Sequence, residues 1–190
     1  MADNVYGVKC VVLTELNQDG SSKTEGKTIR IDTPQEVSYS PNIKEGSEQE
    51  LRGGDRLIAV VKDEDELTSI TATFKDAKLD IEAMALIGGG TVTGTGETAK
   101  YEAPKMGDTV RTPFKAEIYS AIYGDGSNTS GDITAYTKMT MNYAKGRIPS
   151  FSQQDRTFMV PSYTITGTDN NSLGVGPFSI EQVATLPPAS

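Results

Sequence analysis

Carboxylates are the one class of catalytic side chain that this chain holds in quantity. Glu48 and Glu50 stand two residues apart, and Asp63-Glu-Asp-Glu66 is a continuous run. A carboxylate pair at a defined separation is all that many glycoside hydrolases need as acid and base or nucleophile. Sugar sites also present aromatic platforms, however, and the chain has no tryptophan, so a solvated acidic surface is the simpler account. Asp125, Asn128 and Asp132 could offer oxygen ligands to calcium, but they lack the bidentate glutamate and the spacing of an EF-hand loop and read as a hairpin connector. Histidine is absent, which removes the commonest general base and transition-metal ligand and excludes triad hydrolases and histidine-bearing zinc sites. The single cysteine, Cys10, forbids an intramolecular disulfide and lies in the apolar run Val8-Lys-Cys-Val-Val-Leu13, as a small buried hydrophobe would. Glycines cluster at Arg52-Gly-Gly-Asp55, Gly88 to Gly90 and Gly124-Asp-Gly126. None fits a phosphate loop or joins a strand to a following helix, so they read as turns and caps. No catalytic residue, metal or cofactor is expected.

The elements that must position these residues are mostly strands. The clearest segment is 68–90, where Ile70, Ala72 and Phe74 alternate with Ser69, Thr71, Thr73 and Lys75, giving one apolar and one small polar face. The period then changes: Asp80 reads as an N-cap, Ile81, Met84, Ala85 and Leu86 fall near helical spacing, and Gly88 to Gly90 end the turn. Further strands are expected at 5–16, 28–32, 36–40, 114–123, 133–143, 156–160, 162–166 and 178–184. Residues 114–143 form a second hairpin-like pair. Leu57-Ile-Ala-Val-Val61 reads as a strand covered on both faces, one of them open to cover by a neighbouring subunit. Asn42 to Arg56 is almost devoid of apolar residues and reads as a long polar loop, either mobile or used for contacts. Residues 91–113 read as irregular excursions or edge strands.

A length of 190 residues suits one domain, and the pattern is mainly β: an antiparallel β-sandwich or partial barrel with one short flanking helix at about residues 80–87. Eighteen basic against twenty-six acidic residues give a net charge of -8, which disfavours a nucleic-acid reader. Between Glu36 and Glu66 nine acidic residues face four basic ones, a surface suited to keeping a polyanion from sticking. There is no run of eighteen apolar residues and no basic and apolar leader, so synthesis in the cytoplasm without membrane insertion is expected, and the sequons at Asn128 and Asn170 carry no weight.

Taken in order, the strand Glu36 to Ser40, the polar stretch Asn42 to Arg56, the returning strand, the segment Leu79-Asp-Ile-Glu-Ala-Met-Ala-Leu-Ile-Gly-Gly89, the strand pair at 114–143 and a closing strand before Leu186-Pro resemble the major tail tube proteins of tailed bacteriophages, most of all the long, non-contractile type. The resemblance spans about residues 28–187. It implies hexameric rings stacked into a hollow tube around a tape measure protein, with terminator and tip proteins at its ends. It also implies residence in the virion tail after assembly in the host bacterial cytoplasm, and transient passage of DNA without specific binding. Each subunit of such a tube contributes strands from two hairpins to a shared inner barrel, which removes exposed sheet edges. On that mapping Glu36, Ser38, Ser40, Ser69, Thr71 and Thr73 face the lumen, and Glu45, Glu48, Glu50 and Asp55 lie on the loop that reaches the adjacent ring. With no lysine or arginine among them, such a wall would hold DNA weakly. A tube subunit of a phage-derived contractile injection device and a monomeric β-sandwich decoration or adhesion module are the alternatives, and a carboxylate-pair glycosidase ranks last.

Overall fold

The computed structural model describes residues 4–107, 111–124 and 133–188. In chain order it contains β1 (Asn4–Glu15), β2 (Thr28–Ile31), β3 (Pro34–Lys44), β4 (Glu48–Gly53), β5 (Arg56–Lys62), β6 (Glu66–Asp76), α1 (Ile81–Gly88), β7 (Thr91–Thr93), β8 (Lys100–Glu102), β9 (Phe114–Tyr123), β10 (Ile133–Gly146), β11 (Ser162–Gly167) and β12 (Ser179–Val183). The architecture is mainly β and antiparallel, a sandwich with one short helix, as the alternation in the sequence implies. Its principal sheet has eight strands in the order β2-β1-β9-β10-β11-β6-β3, with β12 beside β10. It stays open, with β2 and β3 as its edges.

β10 is the pivot of this sheet. One side pairs with β9, while the other is divided between β12, opposite Tyr136 to Thr140, and β11, opposite Ala144 to Gly146. The inward side chains of both halves meet in one core: Val11 and Leu13, Ile70, Ala72 and Phe74, Phe114, Ala116 and Ile118, Met139 and Met141, Tyr163 and Ile165. Each of these sets is spaced by two residues, as one face of a strand must be. Phe74 stacks on Tyr163 with ring centroids 5.1 Å apart, which ties β6 to β11 at the centre.

The helix forms where the sequence places it. The Asp80 side chain accepts hydrogen bonds from the backbone N–H groups of Glu82 and Ala83 at 2.8 and 3.1 Å, satisfying two of the donors that a helix start leaves unpaired. Gly89, at φ 80°, ends it. Ala83, Met84, Leu86 and Ile87 enter the core. Helix and sheet approach so closely that a Cβ at Gly146 would lie 2.2 Å from Ile87 Cγ2, so glycine is what allows the contact.

The outward face of β1 is covered too. Cys10 and Val12 pack with Tyr119 beneath Val183 and Leu186 of the C-terminal segment, and Arg30 donates to the Pro187 carbonyl. Lys138 reaches from β10 to Glu181 on β12 and to Glu117 on β9; the Glu181 carboxylate beside it holds its ammonium above the usual lysine range. Burial on both faces explains the uninterrupted apolar run in β1.

Three expectations are corrected. The polar stretch 42–56 is no loop: β3 continues to Lys44, and β4 and β5 form an antiparallel ribbon joined by Gly54 and Asp55. Residues 57–61, expected to be covered on both faces with a neighbouring subunit as one possible cover, are covered by nothing within the chain and are exposed along their whole length. Residues 156–160 form no strand, because Arg156 takes a φ of 62°, which breaks an extended run. Within 91–113, β7 and β8 make a small hairpin whose Tyr101 hydroxyl donates to the Gly89 carbonyl at 2.8 Å, packing it on the helix end.

Candidate functional site: a hydroxyl face and a projecting ribbon

Pairing between β3 and β6 sets Glu36 against Lys75, Ser38 against Thr73, Ser40 against Thr71 and Asn42 against Ser69. Because side chains alternate across a strand, all eight share one face, and Ile70, Ala72 and Phe74 point the other way into the core. The six residues expected on a lumen face are therefore brought together. β11 extends the array, with Ser162, Thr164 and Thr166 opposite Lys75, Thr73 and Thr71. The hydroxyls are cross-linked along the sheet. Asn42 donates to Ser69 Oγ at 2.9 Å and Thr71 Oγ1 at 3.1 Å, and Thr71–Thr166 and Thr73–Thr164 hydroxyl pairs each span 3.4 Å. These contacts link short side chains of neighbouring strands across one polar face.

The face is not free of cations. Lys75 forms an ion pair with Glu36 at 2.6 Å, and Lys145, opposite Thr166, lies 5.4 Å from the Tyr143 ring centroid. The expected wall of hydroxyls and carboxylates thus carries one neutralised pair and one lysine at its border.

The ribbon owes its length to one continuous hairpin from Pro34 to Asp76, interrupted by three residues on each side, 45–47 and 63–65. This neck is bound by side chains: Ser47 Oγ donates to Asp63 at 2.5 Å, and the Gly46 N–H to Asp65 at 3.0 Å. Beyond it the strands stand clear of the body, and the tip turns through Gly54, at φ 65°, a position that glycine occupies without strain.

The ribbon has two unlike faces. Glu48 lies opposite Lys62, and Glu50, opposite Val60, forms an ion pair at 2.7 Å with Arg52, opposite Leu57, so one face mixes charged side chains with the exposed Leu57 and Val60. Gln49 opposes Val61 and Leu51 opposes Ala59 on the other. A register shift follows Leu51, and Ile58 bends over Gly53, its Cδ1 only 2.6 Å from where a Cβ would stand. Leu51, Ile58 and Val61 thus make a bare apolar strip.

Of the residues expected on an inter-ring loop, Glu48 and Glu50 lie on the mixed face, Glu45 in the neck and Asp55 in the tip turn, all exposed. They are not gathered into a pocket. Asp63 and Asp65, raised with Glu48 and Glu50 as a hydrolytic set, are engaged as turn acceptors in the neck. Among the described residues no group of three or more acidic or cysteine side chains could hold a metal ion; Asp125, Asn128 and Asp132 lie outside them. No helix among the described residues is long and apolar enough to cross a membrane.

The sequence reading missed Thr164, Thr166 and Asn42 as members of the polar face. Alternation of Tyr163 and Ile165 with threonines carried the signal for the first two, but nothing local says that β11 pairs with β6. No protein-family model matches the chain, and no curated protein does either.

Proposed function

We propose that this chain is a structural subunit that polymerises as stacked hexameric rings into the tail tube of a bacteriophage with a long, non-contractile tail, forming a conduit for DNA rather than a catalytic site. In that role it would reside in the virion tail, assemble in the bacterial cytoplasm, and meet a tape measure protein along the bore and terminator and tip proteins at the ends. The observation that carries the proposal is the hydroxyl face across β3, β6 and β11, backed by a core and spanned by short hydrogen-bonded side chains. Such a surface offers passing phosphates few fixed charges, so little counterion release would anchor DNA to it. The open edge at β3 adds support, since edges of this kind are protected when copies pair around a ring.

Negative-stain microscopy of the purified chain is the test. Hollow tubes or rings with a central bore are expected, and in a higher-resolution reconstruction Ser38, Thr71 and Thr164 should line it. Monodisperse monomer under all assembly conditions sinks the proposal and favours a monomeric decoration or adhesion module. Tubes found only inside a contractile sheath point to an injection device.

A further inference from the structure

Two cores of unequal size lie on opposite faces of β1. The inward one gathers side chains from β1, β2, β6, β9, β10, β11 and α1, whereas the outward one holds Cys10, Val12 and Tyr119 under a roof of Val183 and Leu186. The roof is thin. β12 pairs with β10 alone among the described strands, and four of its five residues are exposed. Past Val183 no strand continues, and Pro187 and Pro188 bring no backbone N–H to tie the chain down. The segment is held instead at two polar latches, where Glu181 meets Lys138 of β10 and where the Pro187 carbonyl accepts from Arg30 of β2.

The stretch before it is firmly fixed. Phe178 packs against the inward core, and upstream of it the buried Asn170 side chain donates to the carbonyls of Gly20 and Asn142 at 2.9 and 3.0 Å. The change from tightly to lightly held chain therefore falls between Phe178 and Ser179.

We infer that residues 179–187 form a strap that lifts as one unit, hinged after Phe178, while the inward core stays folded. The latches are built for release. Lys138 keeps Glu117 of β9 when Glu181 leaves, and Arg30 keeps Asp32, so opening strands neither cation without a carboxylate. The apolar contact given up is that of Val183 and Leu186, both only half-buried. Opening bares the face of Cys10, Val12 and Tyr119 together with the edge of β10 from Tyr136 to Thr140. Closed, the strap guards both, since an unpaired edge beside an apolar face is where strands of other chains add. The inference concerns the single chain and stands apart from the tube.

Cys10 is the sole thiol and is fully buried, so its labelling by an aromatic disulfide reagent reports the opening. At fixed pH in the full-length native chain, labelling should run about a hundredfold or more faster than complete unfolding allows, with a much smaller urea dependence. Leu186→Ala should speed it about tenfold by removing an aliphatic contact, and Glu181→Gln about threefold by removing a latch. Asp80→Ala, which weakens α1 on the far side of the inward core, should lower the urea midpoint and leave labelling unchanged. Labelling with the rate and urea dependence of complete unfolding overturns the strap, as does an Asp80→Ala variant whose labelling speeds in step with its lost stability. Labelling that neither Leu186→Ala nor Glu181→Gln accelerates overturns it too, because the thiol then meets solvent through some other opening.

Discussion

In the hairpin β9–β10 most side chains are covered, by the core on one face and by β12 and the C-terminal segment on the other, whereas β6 buries one face only and β3 beside it is exposed along most of its length. Both use the same alternation of apolar and small residues. What differs is the reverse face: Cys10, Val12 and Tyr119 sit under Val183 and Leu186 in the first half of the sheet, and serine and threonine stand open in the second. The first half contributes stability, and the second presents surface. The proposed tube role would use this division, because a face offered to neighbours cannot also be needed to keep the single chain folded.

That division can be broken most severely at Phe74, the point where the exposed half joins the core. Phe74→Ala should cost about 3–5 kcal/mol in urea unfolding, since it removes a fully buried ring stacked on Tyr163; a loss under 1 kcal/mol would mean that the β3–β6 half barely depends on the core. Gly146→Ala should cost about 1–3 kcal/mol by forcing α1 off β10. Differential scanning calorimetry would show it as a lowered Tm, and an unchanged Tm would show that the helix can shift freely. The covered face of β1 is testable by pH. Burial pushes the Cys10 thiol from its ordinary 9.0 up to about 11. A raised thiol pKa contributes stability that is whole below pH 9.0 and lost as pH climbs towards 11, on the order of 2 kcal/mol. The stability gap between the native chain and Cys10→Ala should close across that window; a constant gap would mean that the face opens to water. Asp80→Ala should cost about 1 kcal/mol through loss of the helix cap, read by the same unfolding titration. Smallest of all, Thr71→Ala and Thr164→Ala should each change stability by no more than about 0.5 kcal/mol. A large loss at either would make the hydroxyl face a structural element and blur the contrast between the halves.

The faces of the strands were legible in the sequence because alternation is local: Ile70, Ala72 and Phe74 declare one side and Ser69, Thr71 and Thr73 the other, and Asp80 and Gly89 bracket the helix with short-range hydrogen bonds. The ribbon was not legible. Its charged residues, Glu48, Glu50, Arg52 and Lys62, look like loop composition until the fold sets Glu48 opposite Lys62 and Arg52 against Glu50 on the same strand, and Gln49 hides the alternation that Leu51 would have revealed. Val60 and Val61 mimic a buried strand because composition alone does not tell an exposed apolar strand from a covered one. Membership of Thr164 and Thr166 in the polar face depends on which strand β11 joins, a long-range choice that no local pattern encodes.

The pairing of β1 with β9 joins positions about a hundred residues apart in the chain, Glu15 with Phe114 and Asn4 with Tyr123. During synthesis β1 emerges first with only β2 to pair with, and Val11 and Leu13 stay uncovered until β9 and β10 follow. Non-local closure of this kind makes folding slow, in the millisecond-to-second range of β-rich domains. A chain made at high level therefore passes through partly formed states with open strand edges, and chaperone supply, alongside native stability, sets how much of it reaches the folded state.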